Sequence, residues 1–104
     1  MKTGIEIISE ERQRQISVEG WTPEHDDKHE NAELTKAAIV YADYAGILVE
    51  IEGEFSRIKK DYLPDLWPWD KKWWKPSNDP IRNLAKAGAL IAAEIDRLQR
   101  SKEK

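Results

Sequence analysis

The amino-acid sequence predicts a mainly α-helical fold, a compact three-helix domain with a long Trp/Pro-rich loop packed over the helices. Two observations carry this prediction. Apolar residues recur at spacings of three and four in two long segments, which is the period of a helix buried on one side. Between them, residues 54–80 show no long periodic pattern and hold four of the five tryptophans and four of the five prolines. We expect the 104 residues to form a single helical domain, 1–104.

The first helix is expected to begin after Ser9 and to end near Glu19. A serine hydroxyl is a good N-cap, and the acids Glu10 and Glu11 would lie in the first turn. Gly20 is a typical stop signal. Residues 1–8 are expected to form a frayed strand or an extended lead-in. The helix has few apolar positions, so it either depends on contacts to another part of the molecule or lines a site.

The second helix is expected to run from about Ala32 to about Gly53, after a structured loop over residues 20–31. The stretch 47–51 is ambiguous between helix and strand, and we favour helix. The apolar stripe of this helix consists mainly of small residues, which favour close helix packing: Leu34, Ala37, Ala38, Tyr41, Ala42 and Ala45.

The last helix is expected to begin at Pro80, with Asp79 as its N-cap. Its apolar residues step four, three, four and three along the chain, which is a heptad seam: Leu84, Gly88, Ile91, Ile95 and Leu98. We interpret this seam as intramolecular core. The alternative is that it pairs with the same seam in a homodimer or a higher homo-oligomer.

Composition and charge exclude several classes of function. The chain has no cysteine, so disulfides and thiolate metal sites do not contribute. No apolar stretch approaches ~18 residues, so we expect a cytoplasmic protein with no membrane partner. The net charge of −3 argues against strong nucleic-acid binding. The basic residues are nevertheless clustered between Lys71 and Lys86, which leaves room for a local positive pocket.

The segment Trp67–Pro76 is the strongest candidate for a functional site. It combines four tryptophans with three lysines, and such a surface can stack a planar ring and neutralise its phosphates. The competing interpretation is that most of these rings fill the core while the lysines reach into water. The candidate ligand-binding residues are Trp67, Trp69, Trp73, Trp74, Lys75 and Arg82, joined by Arg12, Trp21 and His25 from the N-terminal part of the chain.

Two sets of acidic and histidine side chains raise the question of a metal. His25, Asp26, Asp27 and His29 offer enough donors, and they superficially resemble the His-Asp pair of metal-dependent phosphohydrolases. Those enzymes need further histidines, and this chain has only two, so helix capping is the preferred interpretation. Glu30 and Glu33 resemble one half of the signature of all-helical nucleoside triphosphate pyrophosphohydrolases, whose second half is absent. We assign no metal, cofactor or catalytic residue.

Several motifs together resemble a family of small proteins encoded by bacteriophages and prophages. They are Gly20–His29 (GWTPEHDDKH), Trp67–Trp69 with Trp73–Pro76 (WPW and WWKP), and Arg82–Ile95 with its core KAGALI. The resemblance covers nearly the whole chain, although residues 46–64 look longer than the corresponding connection in the family. It implies a protein made in the cytoplasm of an infected bacterium, and it implies no particular activity.

Three hypotheses on function remain open at this point. The first is a non-catalytic phage protein that binds a small anionic, nucleotide-derived ligand and sequesters a host immune signal. The second is a metal-dependent nucleotide pyrophosphohydrolase that holds magnesium or manganese with a set drawn from these residues: Glu30, Glu33, His25, Asp26 or Asp27. The third is a protein-interaction module that inhibits a host protein through exposed tryptophans.

Overall fold

The structure is a computed structural model that describes residues 1–50 and 62–103. The helices are α1 (Gly4–Ser17), α2 (Pro23–Asp26), α3 (Glu33–Glu50) and α4 (Pro80–Glu103), and a short 3-10 helix spans Lys71–Trp73. The described ranges contain no strand. The predicted fold class is therefore confirmed: three long helices with a tryptophan-bearing segment folded over them. None of the described helices combines the length with the hydropathy that a membrane-spanning segment requires.

Helix α1 begins six residues earlier than the sequence pattern predicted, at Gly4 instead of at Glu10 after Ser9. The reason is a capping box at Thr3: its Oγ1 accepts the Glu6 N–H at 3.2 Å, and its own N–H donates to Glu6 Oε1 at 3.1 Å. The expectation of a strand or extended lead-in over residues 1–8 was wrong, because this cap lies upstream of the isoleucines. The helix ends at Ser17, and Gly20 follows with a positive φ of 74°.

Residues 20–31 are the expected structured loop, with one helical turn inside it. Thr22 caps this turn, α2, by accepting the His25 N–H at 3.3 Å. Helix α3 then begins at Glu33 and is helical through Glu50, and the predicted end near Gly53 lies outside the described residues. Its predicted stripe is buried except for Ala42. This residue is exposed because the buried side of the helix is centred on the preceding residue, Tyr41.

Helix α4 packs against α3 mainly through small residues, and Leu90 is the one large apolar side chain of this contact. Asp79 caps it as predicted, because Asp79 Oδ1 accepts the Ile81 N–H at 2.9 Å. The buried side presents one leucine among alanines, which let the two backbones approach closely: Ala85, Ala87, Ala89, Leu90 and Ala93.

The heptad seam of α4 is not core, so that interpretation was wrong. Leu84, Ile91, Ile95 and Leu98 are 49%, 49%, 52% and 46% exposed. The alanine side of the helix contacts α3. The one seam residue that α1 covers is Gly88. A Cβ added to Gly88 would lie 2.6 Å from Ile8 Cδ1, so the side chain of Ile8 occupies the space above this glycine. The remaining seam residues face outward.

The segment after residue 61 returns across α3 and completes the core with aromatic rings. Trp67 is buried, and its Nε1 donates to the carbonyl oxygen of Asp70 at 3.2 Å. Trp74 packs on Tyr41 and Tyr44, with ring centroids 4.7 and 5.7 Å apart. Trp73 is the exception, since it is 56% exposed. The tryptophans therefore differ in exposure, with Trp67 in the core and Trp73 at the surface.

Candidate functional site

A cleft of about 420 Å³ lies between α1, the loop that carries α2, the tryptophan segment and the flank of α4. Leu34, Tyr41, Trp67 and Leu90, all of them core residues, contribute to its wall. The remaining lining residues are polar or aromatic: Glu11, Arg14, Gln15, Glu19, Trp21, His25, His29, Trp69, Asp70, Trp73, Lys75 and Lys86. Ligand sites are typically built this way, with apolar walls and a few converging polar groups.

One end of the cleft is aromatic. The rings of Trp21 and His25 are parallel within 1°, with centroids 6.2 Å apart. The ring of Trp69 is tilted by 54° against Trp21 at 6.3 Å and lies 5.2 Å from the ring of His29. We call these four residues the aromatic end. Tilted planar faces at these spacings offer stacking surfaces for a further ring.

Another part of the cleft wall, which we call the lysine end, contains an ion-pair cluster anchored on the buried carboxylate of Glu11. Arg14 donates to both of its oxygens at 3.0 and 2.9 Å, and Arg82 donates to Oε1 at 2.7 Å. Burial by itself would raise the pKa of Glu11, but the hydrogen bond from Arg14 and the charge of Arg82 outweigh burial and lower it. Arg14 also donates to Glu19 at 3.1 Å. The carboxylates of Glu11 and Glu19 are therefore already paired with arginines.

Lys75 and Lys86 are the cations left at the mouth of this cluster. Lys86 Nζ donates to the carbonyl oxygen of Lys75 at 2.7 Å and lies 5.5 Å from the centre of the Tyr41 ring. Burial and the neighbouring charge of Arg82 lower the pKa of Lys86. The Lys75 side chain is exposed, with Nζ 5.8 Å from the centre of the Trp73 ring. The two ammonium groups retain capacity for an anion.

The buried polar atoms of the cleft wall that have no hydrogen-bond partner within the protein include one on Gln15 and one on His29. Gln15 is buried, and its Oε1 accepts no hydrogen bond. His29 Nε2 in the aromatic end is also without a partner. An unsatisfied buried polar atom costs about 1–3 kcal/mol, so both are points at which a polar ligand atom or a water molecule gains binding energy.

Six of the nine candidate ligand-binding residues line this cleft: Trp21, His25, Trp67, Trp69, Trp73 and Lys75. The other three lie behind it. Arg12 donates to Asp26 Oδ2 at 2.6 Å, Trp74 is packed on the tyrosines of α3, and Arg82 reaches Glu11 from outside the wall. Each of the three supports a group that does line the cleft.

Sequence reasoning did not single out Gln15, Glu11 or Glu19 as site residues. The polarity of α1 was the one indication in the sequence, because it predicted that this helix is held by other contacts or lines a site. In the structure α1 is bonded to α4 through Glu11 and Arg82, and it also lines the cleft. No spacing rule could identify Gln15 itself, because its role depends on which side of α1 the tryptophan segment meets.

The side chains considered for a metal are dispersed or paired. His29 Nδ1 lies 3.7 Å from Glu33 Oε2, and Asp26 accepts from Arg12 at 2.6 Å. Glu30 is exposed. Among the residues that the structure describes, no group of three or more histidine or acidic side chains is close enough to hold a metal ion.

Comparisons with models of protein families, with curated proteins and with solved structures give no match. The function must therefore be inferred from the chemistry of the cleft.

Proposed function

We propose that the protein is a non-catalytic binder of a small, nucleotide-derived anion, which it holds in this cleft. The observation that carries the proposal is the pairing of two unlike ends in one cavity, four rings at one end and two lysines at the other. A nucleotide has the same division into a planar ring and an anionic tail. The volume of about 420 Å³ is in the range of small-molecule sites.

The aromatic end supports the base. Stacking of a base on an aromatic side chain is worth ~1–3 kcal/mol, and Trp21 and Trp69 are held in place by packing against the core. The carboxamide of Gln15 and the imidazole of His29 each offer an unpaired polar atom to the edge of the base. These two groups would give the site preference for a ring with matching hydrogen-bonding groups.

The lysine end supports the phosphate. Glu11 and Glu19 are neutralised by arginines, so the charge of Lys75 and Lys86 is not consumed by the carboxylates beside them. Exposed Trp73 stands beside Lys75 and can close over a bound group from the solvent side. The site thus fits a ligand with one or two phosphates better than an uncharged ring.

The resemblance to small bacteriophage proteins supplies the biological setting of the proposal. A phage protein that binds a nucleotide signal without destroying it would lower the free concentration of that signal in the cytoplasm of its host. In this setting the protein acts by stoichiometric sequestration and counters a host immune response.

The experiment is a thermal-shift screen of the purified protein against mononucleotides, cyclic dinucleotides and ADP-ribose derivatives, followed by titration calorimetry. Each compound is tested with magnesium and with a chelator. A ligand of the native state raises the melting temperature by mass action, and we expect a shift that does not require metal. A shift that requires metal and decays as the compound is consumed would instead support the pyrophosphohydrolase hypothesis.

Lys75→Ala and Lys72→Ala form the matched pair for this experiment. Both lysines lie near the ring of Trp73, at 5.8 and 5.4 Å, but only Lys75 lines the cleft. We expect Lys75→Ala to weaken binding by about tenfold or more, as for loss of a charge-assisted hydrogen bond. Lys72→Ala should bind like the unmodified protein. Equal losses in both variants, or no shift with any compound, would contradict the proposal and direct the search to a host protein partner.

A further inference from the structure

The exposed seam of α4 is an apolar feature that neither the core nor the cleft explains. Ile81, 60% exposed, extends it by one further turn toward the helix N-terminus. At 1.5 Å per residue, the stripe from Ile81 to Leu98 is about 26 Å long. Single exposed apolar residues are ordinary on protein surfaces, but a contiguous stripe is typical of an interaction site.

The seam lies on the side of α4 that points away from the cleft. Successive helical residues turn by about 100°, so Lys86, which lines the cleft, is nearly opposite Leu84 and Ile95. A partner on the seam would leave both the aromatic end and the lysines accessible. An inference about this surface therefore stands or falls independently of ligand binding.

The spacing of the seam indicates that its partner is another helix with the same spacing. Steps of four, three, four and three keep an apolar stripe in contact with a second helix along its whole length. The nearest available helix with this pattern is the same helix in a second copy of the chain. We infer that two copies associate through this seam, with their α4 helices antiparallel.

The antiparallel direction pairs the large seam residues with one another. In one register Ile81 faces Leu98 and Leu84 faces Ile95 of the second copy. Ile91 then meets the side chain of Ile8 that covers Gly88 of the second copy, so each large seam residue has an apolar counterpart. The antiparallel pair also aligns the two helix dipoles favourably.

Charge does not oppose this association. The positions that flank the seam are Ala85, Ala92 and Gln99 on one side and Ala87, Glu94 and Ser101 on the other. Glu94 is the one charged residue among them, and it is buried and paired with Arg97 at 2.6 Å. Two copies with a net charge of −3 each can therefore bring their α4 helices together without like charges meeting at these flanking positions.

The size of the surface predicts a dimer that dissociates on dilution. A stable interface buries about 800 Å² on each partner, which is more than one helix face of this length provides. Ile5 lies one turn before Ile8 on α1, is 84% exposed and adds apolar area beside the seam. The protein should therefore be monomeric at low concentration and dimeric at high concentration.

Sedimentation velocity over a wide range of protein concentration tests the association. We expect the mass to rise from 12.1 kDa toward twice that value as the concentration increases. Ile91→Glu should keep the protein monomeric throughout. Ile39→Glu is the matched control, because Ile39 on α3 is equally exposed, at 49%, and lies off the seam. A wild-type chain that stays monomeric, or a control that loses the dimer as well, would overturn the inference.

Cysteine cross-linking tests the direction, and the absence of native cysteine makes the background clean. A chain carrying both Leu84→Cys and Ile95→Cys should form a covalent dimer on mild oxidation, because these positions face each other in the antiparallel pair. Either single variant should remain uncross-linked. Efficient cross-linking of Leu84→Cys alone would place the helices parallel and refute the antiparallel arrangement.

Discussion

At the scale of single residues, two neighbouring aspartates show how burial changes the value of an ion pair. Asp26 is fully buried, and its Oδ2 accepts from Arg12 at 2.6 Å. Arg12 also donates to the carbonyl oxygen of Trp21 at 3.3 Å, so this pair connects α1 to the aromatic end of the cleft. Asp27 accepts from Arg100 at 2.7 Å, but its side chain is partly open to solvent. The first pair is shielded from water and the second is not.

Replacement of each aspartate by alanine should separate the two cases. Asp26→Ala leaves the guanidinium of Arg12 without its buried partner, and we expect the free energy of unfolding to fall by about 3 kcal/mol. Asp27→Ala should cost about 0.5 kcal/mol, as is usual for an exposed pair. Urea denaturation of the two variants measures the difference. Equal losses would show that burial does not control the strength of these pairs.

At the scale of helices, the packing of α1 on α4 depends on a position without a side chain. The side chain of Ile8 fills the space over Gly88, and an added Cβ there would meet its Cδ1 and Cγ1 at 2.6 and 2.8 Å. Gly46 in α3 provides the comparison, because an added Cβ would find nothing within 4 Å. Both glycines lie in helices, so the change in helix propensity on substitution is nearly the same.

Gly46→Ala should therefore raise the free energy of unfolding by about 0.5–1 kcal/mol, the usual gain of alanine over glycine in a helix. Gly88→Ala gains the same propensity but displaces Ile8, an overpacking cost of about 1–3 kcal/mol, so we expect a net loss. Thermal and urea unfolding report both changes. Shortening Ile8 in an Ile8→Ala background should remove most of the Gly88→Ala penalty, and a penalty that persists there would argue against this contact.

At the scale of the whole molecule, several carboxylates stabilise the fold in their ionised form. The hydrogen bonds from Thr3 lower the pKa of Glu6. Burial alone would raise the pKa values of Glu11 and Glu33. The hydrogen bond from Arg14 outweighs burial at Glu11, and the hydrogen bond from the backbone of Asn31 does so at Glu33, so both pKa values lie below 4.5. A carboxylate with a lowered pKa in the folded state binds protons less readily than in the unfolded chain. Its contribution to the free energy of unfolding is complete above the pKa of the unfolded state. That contribution is lost as the pH falls through the pKa of the folded state.

The free energy of unfolding should therefore decrease as the pH falls below about 4.5. Glu11 is the most deeply buried of these carboxylates, and Glu11→Gln should lower stability at neutral pH by about 2–3 kcal/mol. Because the variant cannot titrate at this position, its stability should fall less steeply in acid. Urea midpoints measured from neutral to acid pH test this expectation. Parallel pH profiles for the two proteins would show that Glu11 contributes nothing to acid unfolding.

Local patterns were sufficient for part of the fold and part of the site. The Asp79-Pro80 start of α4 and the small-residue stripe of α3 were predicted correctly, because capping and periodicity are properties of adjacent residues. The start of α1 differs from the prediction because Thr3 and Glu6 form the capping box, whereas Ser9 lies inside the helix. Six of the nine candidate residues line one cleft. Four of these six come from the tryptophan segment, which its composition alone singled out.

The helical class and the position of α4 could be predicted from local capping and periodicity, and the composition of the tryptophan segment marked it as a part of the chain that no regular pattern describes. Which side of α4 is buried became evident from the packing of the helices. A heptad seam and a side rich in alanine are both able to pack, and the choice depends on how closely α3 can approach. The structure alone also distinguished exposed Trp73 from buried Trp67 and placed Gln15 in the cleft wall. These outcomes depend on contacts between residues far apart in the chain, which no local pattern encodes.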